Sequence, residues 1–213
     1  MLAFAMLASQ SWTGVPGAEQ RTFDELLPLT LGNRWEYRKT VETPGQLPQV
    51  TPTFSRVRGA YLCNGELWHH YEEDGVCFWV NNRVGGQYEG EISVDEETSG
   101  LQVDRDFLVF RWPVQADEQW EYHVDLTSDE DPIEVRCVEL KKLVVAPAGR
   151  FRCVWYEMVD DYVVSSFFFA PGVGLVLGEW HDKETREASR IELSKFIPAD
   201  AAGAPSIDDD RRQ

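Results

Sequence analysis

Apolar and polar positions alternate most clearly between residues 54 and 81, where Asn64-Gly65 and Asp74-Gly75 interrupt the pattern. Asn-Gly and Asp-Gly supply the two positive φ angles of a type I′ turn, whose twist matches its flanking strands. They predict two successive hairpins joining strands at roughly 54–62, 66–72 and 76–81. Side chains alternate between the faces of a strand. With Asp74-Gly75 as the turn, His70 lies opposite Trp79, and Trp68 sits two residues along on the same face. The other face then carries Leu67, Tyr71, Val76, Phe78 and Val80, the more apolar set and the expected core.

The rest of the chain reads the same way. Phe107–Phe110, Glu134–Val138, Leu143–Val145 and Tyr162–Val164 are rich in β-branched and aromatic residues, with Gly, Pro, Asn and Asp clusters between them. Short strands at short intervals are the all-β pattern. Phe23-Asp24-Glu25-Leu26-Leu27 alone looks helical, for about one turn. Residues 91–106 are acidic and weakly patterned, and read as a connection between halves.

A phrase occurs twice. Pro28-Leu29, five residues and Trp35-Glu36-Tyr37 return as Pro113-Val114, five residues and Trp120-Glu121-Tyr122, about 85 residues later. Weaker matches follow: Asn64–Glu72 with Ala148–Glu157, and Phe78-Trp79-Val80 with Phe167-Phe168-Phe169. Repetition at a fixed spacing marks a duplicated structural unit. The expected fold is all-β: a curved antiparallel sheet or half-barrel built from two tandem repeats of about 85 residues. The repeats span about 28–90 and 113–181 within a single domain over 23–196. Residues 197–213, with Asp208-Asp209-Asp210, read as a disordered tail. Trp35 and Trp120 are the expected core anchors of the two halves.

Composition narrows the function classes. With 37 acidic against 20 basic residues, the formal net charge is −17. Nucleic acids and anionic membrane surfaces need a basic footprint, so neither is an expected partner. Residues 1–22 open on the apolar run Met1–Ala8, which reads as a partial secretory signal or a flexible terminus. A periplasmic or extracellular location follows from the first reading, a cytoplasmic one from the second. No apolar stretch is long enough for a transmembrane segment.

Candidate chemistry is sparse. Cys63, Cys77, Cys137 and Cys153 include no Cys-x-x-Cys pair. The hairpin registers place Cys77 opposite Glu72, Cys63 opposite Glu66 and Cys153 opposite Lys142. A bridge needs Cα atoms within roughly 7 Å. Cys63–Cys77 and Cys137–Cys153 bridges are therefore not expected; either bridges join strands distant in sequence, or the thiols are simply buried. His69 and His70 face opposite sides of a strand and cannot chelate one metal. The acidic stretches Tyr71–Asp74 and Asp125–Asp131 lack the spacing of a calcium loop. No catalytic, cofactor or metal signature emerges, and the chain is expected not to be an enzyme.

At Pro28–Tyr37, Val145-Ala146-Pro147-Ala148-Gly149-Arg150-Phe151 and Phe169-Ala170-Pro171-Gly172-Val173-Gly174-Leu175-Val176, the chain resembles a loose group of uncharacterised bacterial exported proteins. Their marks are a P-L-x-x-G-x-x-W-x-Y opening, a P-A-G-x-F hairpin and an A-P-G-V-G-L-V strand. The resemblance spans roughly 23–196 and implies curved antiparallel sheets similar to periplasmic lipoprotein carriers. The second opening departs from it, with Ala116-Asp117-Glu118 where the glycine is expected.

Three functions follow from these readings. The first is a non-catalytic exported β-sheet protein that binds an apolar ligand or a protein partner. The second is a structural or envelope interaction domain without a small-molecule site. The third is a carboxylate-dependent hydrolase, which two close carboxylates in a cleft would favour. The candidate ligand residues are Trp68, His70 and Trp79. Their face is either covered by the second repeat or forms the wall of a groove.

Overall fold

The computed structural model describes residues 23–94, 100–123 and 132–199. Among them twelve strands form one antiparallel sheet. The first six are β1 (Arg34–Glu42), β2 (Gln49–Cys63), β3 (Glu66–Glu73), β4 (Val76–Arg83), β5 (Gly85–Val94) and β6 (Leu101–Trp112). The second six are β7 (Gln119–Tyr122), β8 (Ile133–Ala146), β9 (Gly149–Val159), β10 (Val163–Ala170), β11 (Gly174–Asp182) and β12 (Ala188–Ile197). The order across the sheet is β6-β5-β4-β3-β2-β1-β12-β11-β10-β9-β8-β7. The chain thus makes two six-stranded meanders that join in the middle of the sheet, β1 against β12.

The sheet curls until its two edge strands approach. No hydrogen-bonded ladder joins β6 to β7, and side chains bridge the gap instead. The Trp120 indole N–H donates to the Val109 carbonyl at 3.1 Å, and the Phe107 and Tyr122 rings stack at 5.3 Å. The result is a barrel that is nearly closed.

The two Trp-Glu-Tyr phrases fall in β1 and β7, the first strand of each meander, and both Trp35 and Trp120 are buried. Trp35 stacks on Phe196 at 5.3 Å, and its indole N–H donates to the Val173 carbonyl in the β10–β11 turn. The predicted helical turn is a single 3-10 turn, Phe23–Glu25. Phe23 is fully buried against Phe110 of β6 and Phe169 of β10, so this segment closes one end of the barrel. Asn82 of β4 fixes it there, donating to the Leu27 carbonyl at 2.7 Å and to Asp24 at 2.8 Å.

Both expected hairpins form. Asn64 and Asp74 have φ of 50°, and Gly65 and Gly75 have φ of 84° and 83°. The cross-strand partners are those the turns dictate: His70 with Trp79, Glu72 with Cys77, Cys63 with Glu66 and Lys142 with Cys153. All four cysteines are free thiols, buried at Cys63, Cys137 and Cys153 and exposed at Cys77. Burial pushes the Cys137 and Cys153 thiols up to about 11 and about 12.

Three expectations are corrected. Residues 91–94 and 101–106 are not a connection between halves but the arms of the β5–β6 hairpin; the link between meanders is the short stretch 113–118. Their charged side chains pair across that hairpin, Arg105 with Glu91 at 2.5 Å, which hides the strand pattern. β3 runs one residue past its expected end, to Glu73, and Asp74 opens the turn as expected. The face predicted as core is core only in part. Tyr71 and Val80 are buried, whereas Leu67 and Val76, beside the turns, are more than half exposed. The N-terminal run, Asp125–Asp131 and all of the tail but its first residues lie outside the described residues.

Candidate functional site

Trp68, His70 and Trp79 share a face, as the register requires. The His70 and Trp79 rings stack at 5.0 Å, and Tyr61 of β2 packs edge-on against Trp79 at 5.4 Å. This is the outer face of the barrel. Trp68 is fully buried, but not by the second meander as the first alternative required. Gly90 of β5 leaves room for it: a methyl there would come within 2.7 Å of the indole. Arg83 of β4 stands 5.3 Å over the ring. All these neighbours belong to the first meander.

A different set of residues encloses space. Inside the barrel lies a cavity of about 210 Å³. Its floor is Leu27, from the segment that closes the barrel end. Its walls come from both meanders: Phe78 and Val80 of β4, Phe110 of β6, Phe167 of β10 and Leu175 of β11 among them. Aromatic and aliphatic side chains dominate because alternate residues of every strand point inward.

Two carboxylates break that apolar lining. Glu73 ends β3 and Glu89 lies in mid β5, and both point into the cavity. Burial pushes the Glu73 carboxyl up to about 7; the Asp74 charge adds to this and Lys39 opposes it. Burial also pushes Glu89 up to about 7, with the Glu73 charge adding to the effect. Desolvation disfavours a charged form, and a like charge nearby disfavours it further. The Tyr71 and Tyr122 hydroxyls in the same wall are pushed up by burial and by these carboxylates.

Glu73 also lines a second space of about 380 Å³, so the two meet at its side chain. Tyr37, Lys39, Trp180 and Ile191 contribute to this outer chamber, with Asp74, Asp182 and Glu187 at its rim. Among the described residues Lys39 is the one basic residue lining either space, and its ammonium is tied to Asp74 at 2.5 Å. The arrangement is a mostly apolar pocket beside a chamber lined by several acids. Ligand sites are typically concave and mostly apolar, with a few placed polar groups, and commonly occupy about 300–1,000 Å³. Among the described residues, no group of three or more His, Cys, Asp or Glu side chains could hold a metal ion.

No family model and no curated protein matches the sequence. Solved structures resemble the fold distantly. A protein of Bacteroides fragilis taken to be exported, with a YmcC-like fold, shares 14% identity over 79% of this chain and 97% of its own, at a TM-score of 0.43. A protein of Parabacteroides distasonis taken to be a lipoprotein shares 13% identity over 79% of this chain and 96% of its own, at 0.40. The MucA/MucB complex of Pseudomonas aeruginosa shares 12% identity over 87% of this chain and 58% of its own, at 0.32. At these values the likeness does not extend to function.

Proposed function

We propose that this protein is a non-catalytic binding protein that takes an apolar ligand into the interior of its barrel. The observation that carries this is the aromatic-walled cavity, lined by Leu27 and by strands of both meanders, with the second chamber adjoining it at Glu73. Apolar groups leave water for such a pocket at a gain of about 25 cal/mol per Å² buried. The same reading places the protein outside the cytoplasm, supported by the phrases it shares with exported proteins. No helix among the described residues is long and apolar enough to cross a bilayer.

The Glu73–Glu89 pair gives specific support to a second reading, the carboxylate-dependent hydrolase. General acid–base chemistry works best when two environments push the members of a pair apart. Here burial pushes both carboxyls the same way, to about 7. That does not divide the pair into an acid and a base, and the apolar lining around it favours binding.

The test is titration with 1-octanol, followed by methyl NMR and by thermal shift. Perturbation centred on Val80, Val109 and Leu175, with a raised Tm, is the expected result. No perturbation, or perturbation gathered at Trp68 and Trp79 on the outer face, would overturn it. Turnover of aryl glycosides or esters that is lost in Glu73→Gln would establish the hydrolase instead.

A further inference from the structure

We propose that the ligand of this cavity is a cationic amphiphile, an alkyl or aryl tail carrying a protonated amine, with its ammonium held at the carboxylates that line it, Glu73 and Glu89. The proposal rests on the binding reading above and names the ligand class.

Three observations point the same way. First, the polar groups set into the apolar wall are rich in hydrogen-bond acceptors. Glu73 and Glu89 accept through both oxygens when ionised. Gln87, only 5% exposed, lines the same cavity, and its amide Oε1 is buried without a hydrogen-bond partner. A buried acceptor left unpaired is costly, and a donor on the ligand would relieve that cost. Second, the approach is acidic. Asp74, Asp182 and Glu187 line the outer chamber, and its one cation, Lys39, is already engaged by Asp74. An anionic head, such as a fatty-acid carboxylate, would meet like charge along the whole path, whereas an ammonium would be drawn in. Third, the tail has a place. Leu27, Phe78, Phe110, Phe167 and Leu175 line the same cavity as the carboxylates.

An ammonium also answers the main cost of the site. Two carboxylates within reach of each other's charge, facing apolar side chains, are disfavoured in their ionised forms. An ammonium beside either carboxylate makes a charge-assisted hydrogen bond to it, the stronger class of such bonds.

The test compares three ligands with one tail, octylamine, 1-octanol and octanoate, by calorimetry at pH 8 on the full chain. Wild type should bind octylamine about tenfold or more tighter than 1-octanol, a gap of about 1.4 kcal/mol or more. Octanoate should bind weakest. In Glu73→Gln/Glu89→Gln the amine should lose that advantage while 1-octanol affinity holds. Gln87→Leu, close in volume and without the acceptor, should weaken the amine several-fold. Octylamine binding no tighter than 1-octanol, or octanoate binding tightest, overturns the cationic proposal and leaves the apolar-binding reading intact. Binding of none of the three overturns both.

Discussion

Glu73 and Glu89 are the residues at which the core departs from an apolar barrel, and their titration gives the sharpest prediction at this scale. The ordinary glutamate value is 4.5, and both are held near 7 in the folded chain. Between those values the folded state binds more protons than the unfolded one. Stability therefore falls as pH rises from about 4.5 to about 7 and is level above, as far as these two groups are concerned. Asp74, held low first by its hydrogen bonds from Lys39 and Thr53, works in the opposite direction at lower pH. Comparing variant with wild type isolates the pair: Glu73→Gln/Glu89→Gln should melt higher than wild type at pH 8 and show little or no gain at pH 5. At this chain length each kcal/mol moves Tm by about 2–4 °C. Equal differences at both pH values would show that the carboxyls are not desolvated. One member of this pair was legible in the sequence. Glu73 has the same parity as Tyr71 in β3, so it lies on the face expected to be core. An acid on a core face is a signal, but among 37 acids, and beside the Asp74-Gly75 turn, it does not stand out. Glu89 carried no such mark, because the β4–β5 hairpin that sets it opposite Val80 was not among those the turn dipeptides predict.

Hairpins, as elements, were the most legible part of the chain. A two-residue turn fixes the register of both arms, and each cross-strand pair then follows by counting, as His70 with Trp79 shows. The same logic failed where the ladder slips. β5 and β6 lose register twice, at Gln87/Tyr88 and Glu91/Ile92, and their outer ends carry paired charges. β8 slips twice between Cys137 and Lys142, so its two apolar runs looked like separate strands. Trp68 shows how an outer face buries a large ring: β5 supplies a glycine beneath it and β4 an arginine above it. Gly90→Ala would set its methyl 2.7 Å from Trp68 Cη2 and 3.2 Å from the Arg105 carbonyl, so something must move. Overpacking of this kind costs about 1–3 kcal/mol, to be read by urea unfolding. Trp68→Phe in the same chain should recover part of that loss, and additive effects would mean that the two do not share this contact. Free thiols make a further check. Peptide maps without reductant should recover Cys63, Cys77, Cys137 and Cys153 all unlinked, and a Cys63–Cys77 or Cys137–Cys153 fragment would refute the registers.

The whole molecule is asymmetric in how its two meanders meet. At the middle of the sheet, β1 is paired along its length on both sides, to β2 and to β12. At the other meeting place, β6 and β7 face each other without a ladder, held by Trp120 to Val109 and by Phe107 on Tyr122. β7 is four residues long and pairs only with β8. Backbone amides without ladder partners exchange through small local openings, whereas doubly paired ones need larger ones. Hydrogen exchange should therefore be slowest across Arg34–Thr40 and fastest, within the strands, along the facing edges of β6 and β7. The gap also borders the proposed site, since Val109, Phe110 and Tyr122 all line the interior cavity. A ligand seated there packs against both sides of the gap, and anything that binds only the folded form lowers the population of its openings. Adding octylamine should slow exchange in Gln119–Tyr122 and in the Val109 region more than in β1. If β7 is as protected as β1 before any ligand is added, the barrel is closed in solution. If β7 exchanges fast and octylamine leaves it unchanged, the ligand does not occupy the space beside the gap.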